Sequence, residues 1–457
     1  MITRPSSNAA ASQPVLDSVG ERPRFIVREE YFGGVIYDRA GVGSAGYLDQ
    51  AQYAWLAARS EGRSLRTPGE TFASEVSELG LLTTDGGADY EVWPATGLLP
   101  GGMLRSPIRL YFEVTRGCNL HCTYCFNSSG PGRQFSDELT TEEALRIIDN
   151  LRRDGIPELR VTGGEAVMRQ DTCGLIEHAR DIGLAVSLNS NGVYGEAMVE
   201  SVIRSQPNLI IVSLDGIDEP VHTELRGKNQ AIILRNLDLY RSAGLKVRVN
   251  VSLNRRTIEG DLIERSVRHL AGRGLEVCLI LLRPSGRATA EMVRDSFLLA
   301  DKLHEVMGRI KRLREELPGA RVQTSFDIIS PREVKPAPDL DLNTCAAGIA
   351  GCNINSRGEF ASCAFLAEMD HSYNWGTIRE AGYSVLPFWR HDPRLLLFRE
   401  RSVAKAKGCL SCEYYLTRCQ GTCIVQEYWR DMQPGRFDPY CLKEVEAHFQ
   451  VRDEGPS

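Results

Sequence analysis

The chain falls into three stretches with different hydrophobic patterns. From about Arg24 to Leu82, RFIVREEY and GGVIYDRA read as two short strands with Gly33-Gly34 as the turn between them. Asp49 can cap a following helix, DQAQYAWLAARSEG, whose Ala54, Trp55 and Ala58 share a face. Thr67-Pro68-x-Glu70 has the form of a capping box with proline at the first helical position, opening a second helix through Val76 and Leu79 that stops near Gly80. Gly-Gly pairs with Pro94 and Pro100 mark residues 86–106 as a linker.

From Ile108 the pattern changes to alternating strands and helices. IRLYFEVT, ELRVTGGE, LAVSLNSNG, LIIVSLDG, KVRVNVSL and EVCLILLR read as six strands. A helix opening at Thr140, with Glu143 completing a capping box, and the segments TCGLIEHARDIG and AIILRNLDLYRSAG lie between them. Apolar strands alternating with helices predict an α/β fold, a partial (β/α)6 barrel on a parallel sheet buried on both faces. The polar runs TRGC, TGGE, NSNG, LDG and RPSGR all fall at strand carboxyl ends, where such folds bind ligands. They predict one shared site. After about Leu317 the periodicity fades, and eight of the 13 cysteines fall between Cys345 and the last residue. The expected boundaries are a flexible tail over 1–22, a winged-helix-like module over 23–85, the linker, the barrel over 107–317 and a cysteine-rich domain over 318–457.

Charge narrows the function classes. The net charge is −6 with no long basic run, so neither a nucleic-acid nor an anionic-membrane partner is expected. No apolar stretch is long enough to span a bilayer, and the first residues lack the apolar centre of a signal peptide. A cytoplasmic location is expected. An odd number of clustered cysteines points to metal or catalysis rather than a disulfide framework.

Residues 115–126 read TRGCNLHCTYCF, placing the thiols of Cys118, Cys122 and Cys125 within eight residues. Three thiolates can surround one soft metal centre. With a [4Fe–4S] cluster they leave one iron open; with zinc, His121 could serve as a fourth ligand. The C-x3-C-x2-C spacing, with aromatic Tyr124 before the third cysteine, resembles the signature of the radical S-adenosylmethionine (AdoMet) superfamily. The resemblance implies that the open iron binds the amino and carboxylate groups of AdoMet, and that one-electron cleavage of the sulfonium yields a 5′-deoxyadenosyl radical. It further implies roles in AdoMet binding for residues at the strand ends. Gly163, Gly164 and Glu165 would hold the methionine amino group, Ser190, Asn191 and Ser213 would serve ribose and carboxylate contacts, and Arg226 would lie near the carboxylate. The run Arg283–Ala288 is also similar to the family, with no role assigned to its residues, and no catalytic acid or base stands out.

The later cysteines, Cys345, Cys352, Cys363, Cys409, Cys412, Cys419, Cys423 and Cys441, resemble the SPASM extension of many such enzymes. That resemblance implies two auxiliary [4Fe–4S] clusters, three clusters in all. Cys345, Cys352, Cys363 and Cys423 would hold one, and Cys409, Cys412, Cys419 and Cys441 the other. Six residues separate Cys412 from Cys419, where five are usual. Two four-cysteine zinc sites are the alternative. Auxiliary clusters with four protein ligands would carry an electron out of the substrate. Cys173 and Cys278 are expected to pack as small hydrophobes.

The first module, with its YFGGVIYD segment, resembles the PqqD-like peptide-recognition element of ribosomal peptide biosynthesis. Such elements add a leader peptide as a strand to an exposed sheet edge. A generic winged helix packed on the barrel is the alternative. Acidic Glu29, Glu30, Asp38 and Asp49 argue against DNA. Together these resemblances imply a maturase that oxidises a precursor peptide, forming a thioether or carbon–carbon cross-link, with electrons from a reductase or flavodoxin-type donor. A radical dehydrogenase of a protein side chain or small molecule, and a non-enzymatic iron–sulfur electron carrier, are the rival expectations.

Overall fold

The computed structural model describes residues 22–42, 45–83, 87–93, 102–283, 285–288, 300–325, 346–413, 441 and 443. The expected tail before Arg22, and Cys345, Cys419 and Cys423, lie outside the described residues.

The first module is a four-stranded sheet ordered β3-β2-β1-β4. Its strands are β1 (Phe25–Glu30), β2 (Gly33–Asp38), β3 (Ala45–Asp49) and β4 (Tyr90–Trp93). Strand alternation sends successive side chains to opposite faces. Phe25, Val27 and Ile36 pack on Trp55 and Leu56 of α1 (Gln50–Ser60) and on Phe72 and Val76 of α2 (Glu70–Leu79). Ile26, Val35, Tyr37 and Trp93 face the other way and join the barrel core. The sheet is therefore a layer buried on both sides.

Asp49 and Gln52 form a reciprocal cap on α1, as the sequence predicts at Asp49. Three expectations are corrected. The hairpin turn is Tyr31-Phe32, not Gly33-Gly34. Both glycines sit inside β2, where a Cβ on Gly34 would lie 2.8 Å from the Tyr53 ring of α1. The second helix starts at Glu70 with Gly69 as an N-cap that offers no side-chain hydrogen bond, so Thr67 does not cap it. Residues 86–106 are not all linker, because β4 pairs in parallel with β1. Four residues are too few to show a period, and the five-residue β3 was also illegible.

The large sheet runs β11-β10-β9-β8-β7-β6-β5-β12-β13. The six expected strands are β5 (Arg109–Glu113), β6 (Glu158–Thr162), β7 (Ala185–Ser190), β8 (Leu209–Ser213), β9 (Val247–Leu253) and β10 (Glu276–Leu281), all parallel. The connecting helices include α3 (Thr141–Arg153), capped by Thr140 and Glu143, α4 (Thr172–Asp181), α5 (Glu196–Ser205), α6 (Glu219–Arg226), α7 (Gln230–Ser242), α8 (Arg255–Ile258) and α9 (Leu262–Gly272). The sheet extends past residue 317 at both edges. β11 (Val322–Thr324) joins β10, and β12 (Gly351–Ile354) pairs with β5, with β13 (Phe360–Ala361) antiparallel to it. One apolar core runs from Ile26 and Trp93 through the barrel to Phe360, Trp375 and Trp389.

The first module docks at the amino ends of the barrel strands. The Arg28 guanidinium, almost wholly buried, pairs with Glu30 at 2.6 Å and donates to Ser106 Oγ, Pro107 O and Gly155 O at 2.6–3.0 Å. Tyr37 donates to Glu158 Oε2 (2.9 Å), Arg39 to Gly183 O (3.0 Å) and Lys246 to Ala40 O (3.1 Å). Removing one partner of a buried charge pair strands the other. We predict that Arg28→Met destabilises the full chain by about 3–5 kcal/mol, read as a lower denaturation midpoint. An unchanged midpoint would show that this contact does not hold the module.

Candidate active site

The cysteine loop leaves the carboxyl end of β5 and folds over the end of β6. Gly164 N–H donates to Thr115 O (2.8 Å) and Glu165 N–H to Gly117 O (2.9 Å). A Cβ on Gly164 would overlap Gly117 O and lie 2.7 Å from Arg116 O, and one on Gly163 would lie 2.8 Å from Thr115 O. On their Cβ side the two glycines thus admit the backbone of the cysteine loop itself.

Glu165 is fully buried beneath this loop. Its carboxylate accepts from Ser190 Oγ (2.9 Å) and from Asn191 N–H (2.6 Å). Asn191 Nδ2 in turn lies 3.6 Å from Cys118 Sγ and 2.8 Å from Asn119 Oδ1, and Leu120 N–H is 3.4 Å from the same sulfur. Glu165, Ser190, Asn191 and Cys118 therefore form one chain of contacts across β6, β7 and the loop.

A second group surrounds Tyr124. Its hydroxyl donates to the buried Asp215 carboxylate and lies 3.2 Å from Ser252 Oγ. Asp215 also accepts from Ser252 N–H (3.1 Å) and stands 3.6 Å from Arg226 Nε. The Arg226 guanidinium carbon lies 5.9 Å from the Tyr124 ring centre. Arg226 is largely buried, yet its Nε and Nη1 meet no hydrogen-bond acceptor among the described residues. Buried donors of that kind call for a partner, and an anionic group is the chemistry they fit. Asp215 escaped the sequence reading; its only signal was the strand-end run VSLDG. Ser213 is half-buried at the end of β8, paired with Asn250 of β9.

Cys118 and Cys122 are buried and Cys125 half-buried. Burial pushes the Cys118 thiol up to about 11 and raises that of Cys122, the latter against the pull of Arg226 and Arg287. Thiols so placed must give up protons to ligate a metal. Among the described residues no three His, Cys, Asp or Glu side chains converge as a single metal ion requires. A four-iron cubane offers a separate iron to each thiolate, so its ligands need not meet at one point. Three soft donors on a loop with amide N–H groups turned to sulfur fit such a cluster. Beside the loop a cavity of about 520 Å³ opens between Asn119, His121, Val193, Arg226 and Asn229.

Of the later cysteines, Cys352 lies fully buried on β12 and Cys363 is the N-cap of α11 (Ala364–Met369), counting Ala300–Glu316 as α10. The pairing of Asn353 with Ala361 places both cysteines beside the same end of the β12–β13 hairpin. Burial raises the Cys352 thiol against the nearby Arg399, whose guanidinium donates to Gly348 O and Trp389 O. Cys409, Cys412 and Cys441 are half-buried. Cys412 N–H donates to Cys409 O (2.9 Å) at the end of the helix Pro393–Leu410. Cys173 packs against the main core from α4, and Cys278 is half-buried on β10. No helix among the described residues is long and apolar enough to cross a membrane.

A parallel α/β barrel with a three-thiol loop and a buried carboxylate gathered at its strand ends defines a cofactor-dependent enzyme of the partial-barrel class. Residues 112–269 match the Radical SAM superfamily. The chain is 31% identical over 349 residues to the mycofactocin maturase MftC of Mycobacterium tuberculosis, covering 74% of this chain and 84% of that protein. It is 26% identical over 355 residues to the AdoMet-dependent heme synthase of Methanosarcina barkeri, covering 74% and 97%. Its fold is similar to that of Streptococcus suis SuiB bound to S-adenosylmethionine, with a TM-score of 0.65 at 16% identity over 90% of this chain and 97% of that one. The chain belongs to the radical SAM superfamily. It is an enzyme, and its cofactors include S-adenosylmethionine and a [4Fe–4S] cluster.

Burial raises the Glu165 carboxyl to about 7, against roughly 4.3 for a free glutamate. The native state then keeps a proton that the unfolded chain releases. Stability from this group is complete below about pH 4 and is lost as pH rises through about 7. We predict that the ligand-free chain loses on the order of 3–4 kcal/mol through this group between about pH 4 and 8. Denaturant titrations across that range should show a flatter profile for Glu165→Gln; an identical slope would remove the carboxyl from this role.

Proposed function

We propose that the protein is a radical SAM peptide maturase in which Cys118, Cys122 and Cys125 hold the AdoMet-binding cluster. The observation that carries this reading is the buried Arg226 guanidinium, ion-paired with Asp215 yet with Nε and Nη1 making no hydrogen bond among the described residues, beside the same loop that Glu165, Ser190 and Asn191 underpin. In this reading Glu165 receives the ammonium of AdoMet, Arg226 its carboxylate, and Tyr124 and Ser213 flank the nucleoside. Gly163 and Gly164 keep the loop seated on β6. When bound, the cofactors supply a 5′-deoxyadenosyl radical that removes a hydrogen atom from substrate. The barrel core excludes water beneath the site, and Asp215 holds the Tyr124 hydroxyl and the guanidinium in register.

The remaining assignments follow the same reading. Cys345, Cys352, Cys363 and Cys423 hold one auxiliary cluster, and Cys409, Cys412, Cys419 and Cys441 the other. Clusters held there would supply a path for the second electron out of the substrate, and a reductase or flavodoxin-type protein in the cytoplasm would be the external donor to the AdoMet-binding cluster. The first sheet with α1 and α2 forms the peptide-recognition module, the parallel sheet from β5 to β10 with its edge strands the radical barrel, and the part of the chain that carries the later cysteines the auxiliary-cluster domain. β3 is an edge strand, and a leader peptide adds along it. Similarity to a mycofactocin maturase, with a fold like that of SuiB, which has been solved bound to precursor peptide SuiA, supports the substrate class; in this reading a thioether or carbon–carbon cross-link is the product. Similarity to an AdoMet-dependent heme synthase favours a second reading, oxidation of a small molecule.

Under a strong reductant the reconstituted chain should release 5′-deoxyadenosine, and Cys122→Ala should abolish this. Arg226→Met should weaken AdoMet binding roughly 10- to 100-fold, the loss of a charged hydrogen bond costing about 1.5–3 kcal/mol. Equal affinity would unseat Arg226. Peptides encoded beside the gene should slow amide exchange over residues 45–49. If none does, the small-molecule reading takes over.

A further inference from the structure

The run Arg283–Ala288 takes no part in the chemistry above, yet its described residues close around the cysteine loop. Arg287 N–H donates to Cys125 O (2.9 Å). Its guanidinium donates through Nε to Cys122 O (2.8 Å) and through Nη1 to Ser129 O (2.5 Å). Ser285 Oγ lies 2.8 Å from Phe126 O and 3.3 Å from Phe365 O. Gly286 has φ +63°, and a Cβ there would overlap the carbonyls of Cys125 and Phe126. Four loop carbonyls, of Cys122, Cys125, Phe126 and Ser129, thus meet donors from two residues, Ser285 and Arg287, with Gly286 between them giving the close approach.

On its other side the loop is held by Thr123 N–H on Leu225 O (3.1 Å), Asn119 Nδ2 on Val193 O (2.6 Å) and the Tyr124 hydroxyl on Asp215. Its own backbone bonds here, Cys125 N–H to Cys122 O at 3.4 Å and Ser128 N–H to Cys125 O at 3.3 Å, are long. The same segment reaches the C-terminal part of the chain. The Phe126 and Phe365 rings lie 4.7 Å apart, two residues beyond Cys363, and the Arg283 guanidinium lies over Phe365 at 5.5 Å.

We propose that Ser285-Gly286-Arg287 is a clamp that sets the separation of Cys122 and Cys125 and places a permanent cation beside the cluster they hold. Arg287 is then a positioning residue that also raises the cluster's reduction potential. This rests on the reading that those cysteines bind a [4Fe–4S] cluster. Reduction adds one negative charge to a thiolate-ligated centre. A fixed cation in a partly buried site stabilises that charge, and potential follows net charge and hydrogen bonding around the cluster.

The test uses the full chain, reconstituted anaerobically with iron and sulfide. The EPR signal that AdoMet perturbs is titrated against potential, and iron release to a chelator is timed. Arg287→Met should lower the potential by about 59 mV, a tenfold change in the one-electron equilibrium, and speed iron release about tenfold. Arg287→Lys should restore the potential while still releasing iron faster, because an ammonium keeps the charge but not the forked geometry. If Arg287→Met matches wild type in both readouts, the clamp is refuted. Should Arg287→Met take up no iron, Arg287→Lys decides, and wild-type release kinetics in that variant refute it. A wild-type chain that binds no iron and sulfide would instead overturn the cluster reading itself.

Discussion

The site depends on a backbone-to-backbone contact, the seating of residues Thr115–Gly117 on Gly163-Gly164 at the end of β6. Two main chains can lie this close only where neither carries a side chain in the gap. Once they do, Cys118 falls above Glu165, and the carboxylate, Ser190 and Asn191 can link β7 to the thiol side of the loop. Any side chain at Gly164 would lift the loop and break that chain of contacts. The parallel sheet supplies the stiffness, since β5, β6 and β7 are paired in register directly below.

The electrostatics follow from burial. A carboxyl sealed under the loop resists ionisation, and a guanidinium sealed beside Tyr124 and Asp215 keeps two donors without acceptors. Neither arrangement favours the ligand-free chain. In the proposed reading both would become favourable when a zwitterion brings an ammonium to one and a carboxylate to the other, binding energy being stored in the pocket before the ligand arrives. The Arg287 clamp extends the same logic to the opposite side of the loop, where carbonyls rather than thiols are the groups held.

The three parts of the chain share one core rather than standing as beads. The first sheet buries Trp93 and Tyr37 against the barrel, and β12 extends the barrel sheet beyond β5. Polar contacts at the seams are buried and specific. Arg28 and Tyr37 meet the strand starts, and Arg116 joins the cysteine loop to Glu368 of α11 at 2.9 Å. A peptide held on β3 would therefore be presented from a fixed platform at the amino ends of the strands, opposite the end where the radical site lies.

Local pattern alone determined a good deal: the six parallel strands, the caps at Asp49 and Thr140, and the clustering of Cys118, Cys122 and Cys125, while Glu165 and Asn191 were candidates through a family resemblance. These were legible because period, cap and spacing are properties of neighbouring residues. The short strands β3, β4, β11 and β12 were not, because they lie outside the strand–helix alternation that marked the others and are held by distant partners. Asp215 behind Tyr124, Arg287 behind Cys122 and the real work of Gly163-Gly164 were decided only by the tertiary fold. Each is a contact between segments tens of residues apart or more, and no local pattern in a chain specifies which of its buried donors will meet which acceptor.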